Sequence, residues 1–368
     1  AESIRIRDAG SDVVASSDFL LHGNEYFSQV VDELNGRNVL LVDADITQLG
    51  GFSSYEFSAV GSSSVNDAGV VVEAGTTIDL VSATPVVDAT GILLSAANAG
   101  DASDVFANNP DPLELVPTKT DIDRFTYLDV LPEYERSPVD LVLSNLSEGQ
   151  VEIGTGAVIT GEAGASITLQ SKYNVYIDGT ISAPAGEIDV NINARGANGV
   201  DSRIYLGSNA LLDASGVVRV NPVNYLGLTT GEILDAGQVN LAATSGSIFA
   251  ESGASINVDG ASGSFHINQD GLLTLVQDSG DAGTVSFAAA ESLIYGGDLS
   301  AQATGSSHGG QIYIMLVTNQ RGISEPVAPN FVNENVYRGE YVAILDDYTG
   351  SLPTYDEEVA SELKGKAY

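Results

Sequence analysis

The chain contains no cysteine and no tryptophan in 368 residues. Without thiols there is no disulfide and no thiolate metal site, so stability has to come from packing. Basic residues are scarce as well: 14 Lys and Arg stand against 50 Asp and Glu, a formal net charge of −36. Phosphate recognition needs a basic face, so nucleic acid is excluded as a partner, and an anionic membrane surface is excluded for the same reason. No apolar run approaches the roughly 20 residues of a membrane-spanning helix, so no membrane insertion by a helix is expected. The first residues, Ala1-Glu-Ser-Ile-Arg5, read as mid-pattern with no signal peptide, and we expect the chain to be a segment of a longer protein.

Glycine is abundant, and it recurs in a phrase: Gly, any residue, Ile or Val, any residue, an apolar residue. The phrase stands at Gly186–Val190, Gly237–Leu241, Gly283–Phe287 and Gly310–Ile314, with a sister form at Gly164–Leu169 and Gly253–Val258. Apolar and polar residues alternate, which is the signature of a half-buried strand, and the glycine in front reads as a turn residue. Ile167 and Ile188 are 21 residues apart, Val285 and Ile312 are 27, and Val239 and Val285 are 46, which reads as two steps of 23. A period in this range marks a repeat whose unit cannot bury its apolar face alone but can do so by stacking. The architecture this implies is all-β, a parallel β-helix (β-solenoid) with loop insertions; the competing architecture is a β-sandwich with Gly-rich turns.

Four stretches follow. Residues 1–97 read as β-helix coils, with Val39–Val42 a buried strand, Ile46 in its neighbour, and strands at Val70–Val72, Gly75–Leu80 and Gly91–Leu94. Within them, Tyr26, Phe27, Val30, Val31 and Leu34 recur at helical spacing and predict a short helix inside 19–34. Residues 98–137 are acidic, hold Pro110, Pro112, Pro117 and Pro132, and read as an insertion. Residues 138–318 read as regular coils, with loops at Asn198–Ser202 and Asn221–Thr230. Residues 319–368 read as an irregular C-terminal extension or cap, with one strand at Val342–Leu345 and a short helix at Glu357–Leu363.

Candidate chemistry is thin. Asp43 and Asp45 lie two apart and would share a strand face, as would Asp201 and Arg203; such pairs can do acid–base work or hold a cation, yet with this many acids they arise by chance. His22, His266 and His308 stand in no metal-binding spacing, and Gly305–Gly310 is a turn without the Lys-Ser/Thr of a phosphate loop. Asp278–Gly283 has the form of one calcium-binding nonapeptide turn, without its tandem array. Asn145-Leu-Ser147 is formally a glycosylation acceptor of no expected consequence. We therefore assign no catalytic residue, no cofactor and no defined metal site; weak calcium binding by the acidic surface is the one ion reading. Like charges stacked about 4.8 Å apart on successive coils would repel, so salt should raise the melting temperature, and calcium further.

The run Tyr134–Ser144, then Gly154–Ile159, Gly164–Leu169 and Ile177–Gly186, continued by Ile204–Gly207, Leu212–Gly216, Asp235–Gly237 and Ser255–Gly260, resembles filamentous-haemagglutinin-like exoproteins. Upstream, Gly50–Phe52 and Gly75–Leu80 fit the same series. These are the passengers of two-partner secretion systems in Gram-negative bacteria. The resemblance implies a right-handed parallel β-helix, export through an outer-membrane transporter, and a fibre at the outer cell surface. Such a fibre would attach to cells, matrix or extracellular glycan, with self-association in adhesion or biofilm. The family's N-terminal secretion domain is not recognisable in the sequence. The rival from another class is a β-helical polysaccharide lyase or glycoside hydrolase acting on an extracellular glycan.

Overall fold

In the computed structural model, the described residues are 3–8, 27–31, 38–48, 52–60, 68–82, 84–87, 126–130, 132, 135–193, 202–222, 226–244, 246–269, 272–290, 292–316, 341–342 and 366–367. Three long sheets run the length of the molecule. In each, the neighbours from successive coils are parallel and in register, which makes the chain a parallel β-helix and excludes the sandwich. One sheet is built of six-residue strands, Ser54–Ala59, Asp140–Asn145, Ser166–Ser171, Glu187–Ile192, Gln238–Ala243, Thr284–Ala289 and Gln311–Leu316. These seven strands mark seven coils. A second sheet, the four-residue sheet, has four-residue strands at its centre, among them Gln150–Ile153, Asn174–Ile177 and Arg203–Leu206. The third has strands of three residues, among them Val158–Thr160, Thr180–Ser182 and Leu211–Asp213. From the second coil on, each visits the four-residue sheet, the short strand and then the long strand.

Alternation decides the core. Inward positions form rows down the axis: Leu141, Ile167, Ile188, Val239 and Val285 are registered neighbours and all fully buried. Ile78, Ile159, Ile181, Leu212 and Ile256 do the same on the short strands. Each such side chain contributes about 1.5–3 kcal/mol of burial. Gly164 and Gly253 of the sister form have the positive φ of the turn expected of them, but the glycine of the main phrase has a different reason. Gly186, Gly237, Gly283 and Gly310 stack on one another, and a Cβ at Gly186, Gly237 or Gly283 would run into a carbonyl oxygen of the coil before. Gly186 stacks its own carbonyl oxygen against Gly237, and Gly237 against Gly283. None of the four has a positive φ, so the phrase needs glycine for close approach between coils.

Coil length varies more than a fixed period allows. Val239 pairs directly with Val285, so their 46-residue separation is one coil and not two steps of 23. Ile188 pairs directly with Val239, another single coil. The extra length sits in antiparallel hairpins that leave between a short strand and the following long strand: Thr84–Val87 with Thr126–Asp129, Val217–Val220 with Gly231–Leu234, and Ser262–Gln269 with Leu272–Ser279. Residues 138–318 are therefore not uniform coils.

The N-terminal end departs from the sequence reading. Phe27–Val31 is a strand, antiparallel to Asn38–Asp43, and not part of a helix. Helical spacing of Phe27, Val30 and Val31 is outweighed by two β-branched residues and an available strand edge. Asn38–Asp43 lies outside Ser3–Arg7, so this hairpin closes one edge of the four-residue sheet. Ile46 sits on a 3-10 turn, Ala44–Gln48, and Thr47 anchors it by donating its hydroxyl to the Asp79 carbonyl at 2.9 Å. At the other end, Tyr341–Val342 and Lys366–Ala367 extend the four-residue sheet. The strand expected at Gly91–Leu94 and the helix at Glu357–Leu363 lie outside the described residues. No helix among the described residues is long and apolar enough to cross a membrane.

Candidate functional surface

Acidic side chains occupy the corners of the coils, where their oxygens accept backbone amides from the neighbouring coil. Asp8 accepts Thr77 N–H at 3.2 Å, Asp140 accepts Ser166 N–H at 2.8 Å, and Asp178 accepts Asn209 N–H at 3.1 Å. Asp235 accepts Asp281 N–H at 2.8 Å, Asp281 accepts His308 N–H at 2.7 Å, and Asp259 accepts Gln302 N–H at 2.5 Å. Glu251 reaches back to Ser208 N–H at 3.1 Å and also accepts the Tyr205 hydroxyl. These are charge-assisted bonds to amides that a corner would otherwise leave without a strand partner. Asp178 is the most enclosed of them; its carboxylate also takes the Thr155 hydroxyl at 2.5 Å and the Asn209 side-chain amide at 3.1 Å.

Stacking of like charge is reduced at one corner by glycine. The residues that follow the registered inward positions of the four-residue sheet are Arg7, Glu73, Gly154, Asp178, Gly207, Glu251 and Gly296. Acids there alternate with glycine, and a Cβ at Gly207 would strike the Asp178 carboxylate. The repulsion expected between successive coils is thus absent from this row.

The sequence candidates fall into place as structural parts. Asp43 ends its strand and accepts the Asp45 N–H at 3.1 Å, so the two do not share a strand face. Asp201 and His22 lie outside the described residues; Arg203 opens a strand and donates its backbone N–H to Asn174 Oδ1 at 3.0 Å. The Asp278–Gly283 turn is divided: Asp278 belongs to a hairpin strand, and Asp281 holds His308. That amide bond, followed by the His308 ring at 3.1 Å, keeps the Asp281 carboxyl below the usual range. Asn145 is buried, its side chain bonded to Ser147, which removes it as a glycan acceptor. Among the described residues no group of three or more His, Cys, Asp or Glu is placed to hold a metal ion.

Two features were missed by sequence reasoning. One is a carboxylate pair on the outer face of the long-strand sheet. Glu187 and Asp189 project side by side, and Asn240 Nδ2 donates to both, at 3.1 and 2.9 Å. Gln238 Nε2 donates to Glu187 at 2.6 Å. Partial burial, then the Asp189 charge, raises Glu187 above the ordinary carboxylate range, against the pull of the two amides. The polar positions of the glycine phrase, read across coils, carried this signal.

The other is a flank made by the hairpins Val217–Leu234 and Ser262–Ser279. Gly231 passes against the Phe265 ring, and Gly263 against Val218. His266 N–H donates to the Thr229 carbonyl at 2.8 Å, and its Nδ1 accepts Thr229 N–H at 3.0 Å. Arg219 pins the first hairpin down: its Nη2 donates to the Ala163 carbonyl, two coils back, at 3.0 Å. Phe265 is buried at the base of the second hairpin. Beyond it the strand Leu272–Ser279 has no second strand partner among the described residues, with Leu272 72%, Leu273 52% and Leu275 58% exposed. Asp270-Gly271 between two apolar runs is the sequence signal for such a hairpin.

No protein family, no curated protein and no solved structure matches the chain.

Proposed function

We propose that the chain is a structural and adhesive segment of a large secreted bacterial surface fibre, exported through an outer-membrane two-partner secretion transporter. It works by binding and not by catalysis. The observation that carries this reading is the occupation of six corner carboxylates: each holds an amide of the next coil, so these acids serve the stack. A rod of stacked coils presents its side hairpins to a cell, a matrix or an extracellular glycan. The test is retention of beads coated with the purified chain on cells, matrix proteins and immobilised glycans. Retention no greater than that of beads coated with an unrelated acidic protein would sink the reading.

The Glu187–Asp189 pair favours a second reading, a β-helical lyase or hydrolase. A carboxyl raised by partial burial, with a second carboxyl beside it, has the form of an acid–base pair. Cleavage of an acidic glycan, abolished by Glu187→Gln, would replace adhesion with catalysis.

A further inference from the structure

The strand Leu272–Ser279 has one registered partner, Ser262–Gln269, and its outer edge carries no third strand among the described residues. An edge of unpaired N–H and C=O groups is a template for another strand. Proteins usually blunt such edges with charge or proline; here one charge, Asp278, stands near the base of the strand, and Leu272, Leu273 and Leu275 are exposed beside Thr274 and Gln277. An apolar surface left open on a chain this acidic marks an interaction site.

Charge selects the occupant. Asp278 lies on the strand itself, and the partly exposed Asp281 and the exposed Asp235 stand at its base, joined by the Asp281 N–H bond to Asp235. The basic groups nearby are already engaged: Arg219 with Glu232 and the Ala163 carbonyl, His308 with Asp281. A second copy would bring a further net charge of −36 to this acidic base. A cationic partner meets no such penalty and gains complementarity.

We propose that the outer edge of Leu272–Ser279 is a docking site for an extended segment of a partner protein. That segment adds as a further β-strand, sets apolar side chains against Leu273 and Leu275 on one face, and sets Lys or Arg against Asp278 on the other face and Asp235 at the base. Main-chain hydrogen bonds supply affinity and the alternating side chains supply selectivity. The inference rests on the adhesive reading and names the chemistry of its partner.

The test uses the intact chain and a synthetic ten-residue peptide of alternating Val and Lys, with a Val/Glu peptide of the same length as control. The expected result by fluorescence anisotropy is binding of the Val/Lys peptide at least tenfold tighter than the control. The Leu273→Ser/Leu275→Ser variant should lose at least tenfold in affinity, and Asp278→Lys should weaken the Val/Lys peptide while strengthening the Val/Glu one. Hydrogen exchange should slow at the amides of 272–279 on binding. All the substituted side chains are exposed, so circular dichroism should stay unchanged. Equal binding by wild type and variant, or protection elsewhere, overturns the proposal. So does a concentration-dependent dimer in ultracentrifugation that the variant abolishes, which would assign the edge to a second copy. Bead adhesion separates the two readings: wild-type adhesion that survives in the variant removes the docking strand and leaves the adhesive function standing.

Discussion

The coil stack and the hairpin Ser262–Ser279 use the same kinds of side chain to opposite ends. Ile167, Ile188 and Val239 are sealed by registered neighbours above and below, whereas Leu272, Leu273 and Leu275 have no neighbouring strand on one side among the described residues. An apolar residue in this chain is structural when its position recurs in the next coil. Where the chain leaves the coil, the recurrence stops, and past the buried Phe265 the leucines of the hairpin are offered to solvent.

The contrast can be broken most severely inside the stack. Ile188→Ala should cost about 2–5 kcal/mol, because the rows above and below cannot close around the gap. Urea unfolding reads this directly, and a loss below 1 kcal/mol would mean that the interior is loosely packed. Gly237→Ala adds one methyl group where Gly186 allows none, and should cost about 1–3 kcal/mol. An unchanged melting temperature there would return the glycine phrase to a turn role.

Acid sharpens the comparison at the corners. The folded pKa of Asp281 is depressed, so its contribution is present above its unfolded value and is lost as pH falls through the lower, folded one. Asp281→Asn should therefore flatten the acid limb of the melting-temperature profile below about pH 4, where an unfolded Asp titrates. A variant profile parallel to that of wild type would remove the corner bond from the stability of the fold. The smallest effect is expected on the hairpin. Leu273→Ser and Leu275→Ser, both on exposed positions, should each shift stability by no more than about 0.5 kcal/mol. A cooperative loss of several kcal/mol would place this hairpin in the folding core.

Coil strands were legible because the 2-residue alternation and the leading glycine repeat together, as at Gly237–Leu241 and Gly283–Phe287. The hairpins were hidden by their own composition: Leu272-Leu273-Thr274-Leu275 breaks strict alternation, and the 46-residue gap was as compatible with two small coils as with one large one. The corner clamp was half visible. Asp-Ala-Gly stands at both 235 and 281, but calcium turns and amide caps draw on the same residues. Only the distance to the next coil's N–H tells them apart. Asp43 and Asp45 misled for a related reason, since two residues apart means one face only while the strand continues.

Unequal coils also give the rod a mechanical character. A force along its axis unspools one coil at a time from an end, and each released coil yields all of its chain. The smallest, with 21 residues between Ile167 and Ile188, would release about 70 Å at full extension, against about 4.8 Å of lost height. The coil from Ile188 to Val239, with 51 residues, would release about 170 Å. Stretching a tethered molecule should show steps of unequal size, the largest where hairpins interrupt the coil, and uniform steps would mean that the hairpins do not unfold with their coils. The hairpins thus store slack, and a tether that lengthens under load in this way dissipates work before its attachment point lets go.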